Sequence, residues 1–136
     1  MQSLRSAKVE YLLVGGYAVG HYGHPRATGD LDLWVAVDER NATSLFAAVR
    51  AFGFDVPALT VDLFLQPKRV IRMGVPPVRI ELLTGIDGVD FRDCYARRET
   101  TEIDGVIVDI ICLEDLKKNK RASGRHQDLS DVEKLP

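Results

Sequence analysis

The chain is poor in cysteine, poor in aromatic side chains and nearly balanced in charge. Its two cysteines, Cys94 and Cys112, form no CxxC motif, and the three histidines bring no further ligands with them. A zinc ligand set and a disulfide framework are therefore excluded as the organising chemistry, leaving two reduced, partly buried thiols. No apolar run approaches the length of a membrane span. The opening Met1-Gln2-Ser3-Leu4-Arg5-Ser6-Ala7-Lys8 lacks the apolar core of a signal peptide. These absences predict a cytoplasmic chain away from the membrane. Eighteen Lys and Arg against 20 Asp and Glu leave a net charge of −2, which argues against a broad basic surface for DNA or RNA. A small basic pocket for a triphosphate is still allowed. Repeats and low-complexity segments are absent.

What is present suits one small domain. At 136 residues, 46% hydrophobic and 28% charged, residues 1–136 have the balance of a single globular unit. Val9 to Val14 reads as a short strand stopped by Gly15-Gly16, and Tyr17 to Tyr22 as a short helix with Ala18 and Val19 inward. Pro25 disfavours helix at His24. Leu31, Leu33, Val35 and Val37 alternate with Asp30, Asp32, Trp34 and Ala36, a period-two strand with one apolar face. Asp38 can cap a helix whose Ala42, Leu45, Phe46, Val49 and Phe52 form one stripe, closed at Gly53. Val61 to Leu65 fits strand or helix equally. Arg69 to Met73 and Val78 to Leu83 predict two strands, Val89 to Arg98 a helix, and Thr100 to Ile103 with Val106 to Ile111 a hairpin at Asp104-Gly105. Leu113 to Ser123 is a helix ended by Gly124, and Leu129 to Leu135 starts another. Without strict βαβ alternation, the expected fold is α+β, a small mixed, mostly antiparallel sheet packed with helices.

Asp30 and Asp32 stand out chemically. Side chains two apart on a strand share a face, with roots roughly 6–7 Å apart. At an effective dielectric near 20, two such carboxylates repel by about 2–3 kcal/mol. Water relieves that repulsion on a solvated edge strand, and so does a divalent cation, since magnesium takes hard oxygen ligands from a few carboxylates and substrate phosphates. The preceding Gly15-Gly16, between a strand and a short helix, lets backbone N–H groups approach a phosphate. A plain tight turn and an ordinary Asp-x-Asp are the separate readings of the two pieces; their combination points to a metal and a nucleotide.

The run Leu13-Val14-Gly15-Gly16-Tyr17-Ala18-Val19, then His21-Tyr22-Gly23, then Arg26-Ala27-Thr28-Gly29-Asp30-Leu31-Asp32-Leu33, resembles the polymerase-β-type nucleotidyltransferase superfamily. It is most similar to the small bacterial branch of minimal nucleotidyltransferases and abortive-infection toxin-like proteins. Leu113-Glu114-Asp115-Leu116, Lys120, Gly124-Arg125 and Asp128-Leu129 resemble the closing segment of that branch.

The resemblance implies a nucleotidyltransferase-like fold and transfer of a nucleoside monophosphate from a nucleoside triphosphate, with pyrophosphate leaving. Gly15 and Gly16 would hold phosphates. Asp30 and Asp32 would bind Mg2+ or Mn2+. A third carboxylate on a neighbouring strand would share a metal and help deprotonate the attacking hydroxyl. Glu81, in Val78-Arg79-Ile80-Glu81-Leu82-Leu83, is the preferred match and Asp109 the rival. Lys120 and Arg125 either reach the triphosphate or pair with Asp128 and Glu114. In the loop entering the metal strand, Arg26 is a candidate phosphate ligand and Thr28 a candidate loop anchor, with plain surface roles equally open. His21 and His24 read as structural or surface residues, and Trp34 and Tyr17 as core packing before base stacking. The acceptor stays open among protein, RNA end and small molecule. A homodimer or a partner protein is compatible with the sequence. The other class of function is a catalytically quiet domain of the same fold that binds a partner, as in a toxin–antitoxin pair.

Overall fold

The computed structural model describes residues 2–23, 30–51, 53, 59–75, 78–103 and 105–136. Six strands form one sheet: β1 (Tyr11–Val14), β2 (Asp30–Val35), β3 (Val70–Val75), β4 (Val78–Leu83), β5 (Glu99–Ile103) and β6 (Val106–Ile110). Their order across the sheet is β3-β4-β2-β1-β6-β5. The pairs β1–β2, β3–β4 and β5–β6 are antiparallel, whereas β2–β4 and β1–β6 are parallel. The fold is thus the expected α+β class with a mixed, mostly antiparallel sheet.

Among the described residues six α-helices complete it: α1 (Gln2–Ser6), α2 (Gly15–His21), α3 (Glu39–Ala51), α4 (Phe91–Ala96), α5 (Leu113–Ser123) and α6 (His126–Lys134). Helix α3 starts where expected, because the Asp38 carboxylate accepts the Asn41 N–H at 2.8 Å. Asn41 is buried and bonds the backbone of Glu10 and Ala36, which fixes α3 to the sheet. Ala42, Leu45 and Val49 are the buried stripe. Phe52, assigned to the same stripe, lies outside the described residues. Helix α5 ends at Gly124, whose φ of 66° is left-handed.

Five elements sharpen or depart from the expectation. The segment Val61–Leu65 is a single 3₁₀ turn packed against α3. Helix α6 begins at His126 rather than Leu129, and α1 has no counterpart in the sequence reading. Helix α2 begins at Gly15, so the glycine pair forms its first turn instead of a separate one. Strand β2 is apolar on one face only at its start. At its end Leu33, Trp34 and Val35 are all buried, because Phe91 of α4 lies edge-on to Trp34 at 5.0 Å. Trp34 is therefore core, contributing about 1.5–3 kcal/mol as a fully buried large apolar side chain, while Tyr17 is exposed.

Cys94 is buried and Cys112 half-buried, both as free thiols. The Cys112 thiol lies 3.2 Å from Asp115, which also holds Arg97 in a two-pronged pair at 3.0 Å each. No helix among the described residues is long and apolar enough to cross a membrane.

Candidate functional site

The sheet register brings the chemistry together. Val14, Asp32, Glu81 and Arg72 form one row across β1, β2, β4 and β3. Asp30 and Arg79 are register partners two residues further along the strands. Register partners share a face, and so do residues two apart. Asp30, Asp32, Glu81, Arg72 and Arg79 therefore project from the same side of the sheet. The opposite face carries Leu33, Leu82 and Ile71, all buried.

Glu81 is adjacent to Asp32 in this row, and its carboxylate accepts Arg72 Nε–H at 2.8 Å. Asp109 lies elsewhere. Strand β1 separates its strand from β2, and its carboxylate accepts from Arg5 at 2.9 Å and Thr100 at 3.1 Å. Asp30 is more open, with Arg79 Nε 3.8 Å away.

Asp32 is the strained member. One carboxylate oxygen, Oδ1, is buried without a hydrogen-bond partner among the described residues. Its pKa is pushed up to about 7, first by burial, then by a hydrogen bond and charge repulsion from Glu81 and by repulsion from Asp30; Lys120 pulls the other way. Gly15 closes over the same carboxylate. Its φ is +72°, and a Cβ built there would overlap Asp32 Oδ2. Only glycine meets both demands. Gly16 is buried within α2, so the partly open backbone at this turn belongs to Gly15.

Lys120 is the buried side of an otherwise solvated basic run. It lies 3.0 Å from Asp128 and 3.5 Å from Asp131. Arg125 also pairs with Asp128, at 2.7 Å, but is itself exposed. Burial raises the pKa of Asp128, yet bonds from Ser123, Arg125 and Lys120 outweigh it and hold that pKa at about 2. Both cations pair with Asp128, and Lys120 also acts electrostatically on Asp32. Arg26, Thr28 and His24 lie outside the described residues. His21 is exposed, edge-on to Tyr22 at 4.9 Å.

The sequence reading missed Arg72 and Arg79. Their signal was weak: each is one charged residue on an alternating strand, and its neighbours are set by pairing across the sheet.

The donors suit a hard divalent cation: carboxylate oxygens on one face, one of them buried and without a hydrogen-bond partner among the described residues. Among the described residues, however, no three His, Cys, Asp or Glu side chains are already clustered as a metal site. Arg72 bonds one oxygen of Glu81 at 2.8 Å, and Arg79 stands 3.8 Å from Asp30.

No known family model and no curated protein matches the chain. Among solved structures it is similar to a protein from Thermotoga maritima provisionally identified as a nucleotidyltransferase, with a TM-score of 0.59 and 17% identity, over 97% of this chain and 84% of that one. At that identity the likeness is one of fold alone.

Proposed function

We propose that the chain is a metal-dependent nucleotidyltransferase working at Asp30, Asp32 and Glu81. The observation that carries this reading is Asp32: half-buried, pressed by Gly15, beside Glu81, with one oxygen left unpartnered among the described residues. A fold tolerates such a carboxylate pair at a cost unless something relieves it.

The three carboxylates would hold Mg2+ or Mn2+, which when bound supplies charge neutralisation for the phosphates and the reacting oxygens. The acceptor hydroxyl oxygen attacks the α-phosphorus. The bond from that phosphorus to the bridging oxygen breaks, and pyrophosphate leaves. The hydroxyl proton passes to Glu81. Gly15 offers backbone at the phosphates, and Arg72 and Arg79, once released from their carboxylates, stand on the same face to meet the leaving pyrophosphate. Catalysis is then mainly positioning and electrostatics. Protein, RNA end and small molecule are all kept as acceptors.

The test is label transfer from each α-labelled nucleoside triphosphate, with Mg2+ or Mn2+ and cell extract as acceptor source. A labelled product that disappears with Asp30→Asn or Asp32→Asn supports the reading. The second reading is a catalytically quiet binding module of the same fold, in which Glu81 stays paired with Arg72 at 2.8 Å and Asp30 stays near Arg79 at 3.8 Å. That alternative predicts a stable partner complex indifferent to the same substitutions.

A further inference from the structure

A second cleft opens at the other end of β1. Gly15 follows that strand, whereas Lys8, Val9 and Glu10 precede it, so the strand's length, roughly 13 Å, lies between the two sites. The cleft has a volume of about 410 Å³, within the range of roughly 300–1,000 Å³ typical of small-molecule sites. It shares no residue with the Asp32 site.

Its lining is basic in a chain whose net charge is −2. Arg5, Lys8, Arg40 and Arg98 face only two carboxylates, Glu10 and Asp109. Each carboxylate is already divided between two arginines. Asp109 takes Arg5 at 2.9 Å and Arg98 at 3.8 Å. Glu10 takes Arg92 at 2.6 Å and Arg40 at 3.2 Å. Lys8 has no carboxylate partner among the described residues, and a left-handed backbone, φ 60°, places it at the turn after α1. The cation surplus is thus local and built by three separate segments: α1 with its closing turn, α3, and the stretch between α4 and β5.

The aromatic surface is already in use. Tyr95 stacks on Phe91 at 5.4 Å, and the Arg98 guanidinium lies 3.9 Å from the Tyr95 ring centre. Recognition here runs through charge rather than base stacking. Four cations on a small cleft match the oxygens of a phosphate group, to which arginine bonds as a planar fork. A long nucleic acid would also meet the acidic remainder of the surface.

We propose that this cleft binds a small phosphorylated molecule through Arg5, Lys8, Arg40 and Arg98. The probe is inorganic pyrophosphate, titrated calorimetrically into the full chain in EDTA, which keeps divalent cations away from the Asp32 site. Lys8→Gly removes one cation at a backbone angle that glycine prefers, so the fold is retained. Arg40→Gln removes an exposed one. Losing a charge-assisted hydrogen bond of about 1.5–3 kcal/mol weakens binding about tenfold or more.

Saturable binding in the wild type, weakened about tenfold by each variant and unchanged by Asp32→Asn, is the expected result. Absence of saturable binding, indifference to both variants, or a changed affinity in Asp32→Asn overturns the site. A single-stranded oligonucleotide that binds there more tightly than pyrophosphate overturns the small-ligand assignment.

Discussion

Gly15 and Asp32 occupy space that only a hydrogen atom can share. The glycine holds a φ of +72°, and a Cβ on it would overlap the Asp32 carboxylate. Gly15→Ala is expected to lose about 1–2 kcal/mol from the left-handed backbone alone, plus the cost of moving Asp32. Gly124, with φ +66° and open space around it, is the matched control. Urea unfolding should show Gly15→Ala clearly worse than Gly124→Ala; equal losses would mean the carboxylate moves aside freely.

The Asp32 carboxylate should make the metal-free protein less stable as pH rises. Its folded pKa is raised to about 7 from 3.8. An acid that holds its proton more tightly when folded contributes most below the unfolded value and loses that contribution between about pH 4 and pH 7. In EDTA, Asp32→Asn should remove this slope and raise stability at pH 7 by an amount on the order of a few kcal/mol. A denaturation series from pH 4 to 8 reads both.

Asp128 has the opposite sign. Held at about pKa 2 against an ordinary 3.8, it stabilises the fold above pH 4 and ceases to as pH falls toward 2. Lys120→Met leaves Asp128 and Asp131 buried without that cation, a change of the kind that costs about 3–5 kcal/mol. Thermal melting at pH 7 checks the loss, and repeating it at pH 2.5 should show the gap to wild type narrowed.

In the proposed site Arg72, bonded to Glu81 at 2.8 Å, would compete with a cation for that carboxylate. Arg72→Ala should lower stability in EDTA only slightly, since the arginine side chain is 64% exposed. The same variant should enlarge the thermal shift produced by Mg2+ or Mn2+. An unchanged metal shift would separate Glu81 from the metal site.

The sheet was legible because its strands carry local signals. The β2 alternation, the Gly74-to-Pro77 break and the Asp104-Gly105 turn each mark a boundary within a few residues. Helix α5 was read to the residue, since Gly124 ends it in the left-handed conformation. The α1 segment was missed because, among its described side chains, Leu4 is the one buried apolar anchor. The burial of Trp34 came from α4, more than 50 residues later. The site divides in the same way. Asp30 and Asp32 are visible as neighbours in sequence. Glu81 was found by family resemblance, and its place beside Asp32 depends on the parallel pairing of β2 with β4. Arg72 joins the row only through a third strand, so its position was beyond local reading.

The central claim concerns a single transfer step at Asp30, Asp32 and Glu81. The most direct measurement follows two labels of the same nucleoside triphosphate, one at the α- and one at the γ-phosphorus, in Mg2+ or Mn2+ with cell extract. The account predicts that the α-label enters the acceptor, that the γ-label leaves in pyrophosphate, and that Asp32→Asn stops both. Entry of the γ-label into product, or no transfer from any triphosphate together with no metal-dependent thermal shift, would contradict it.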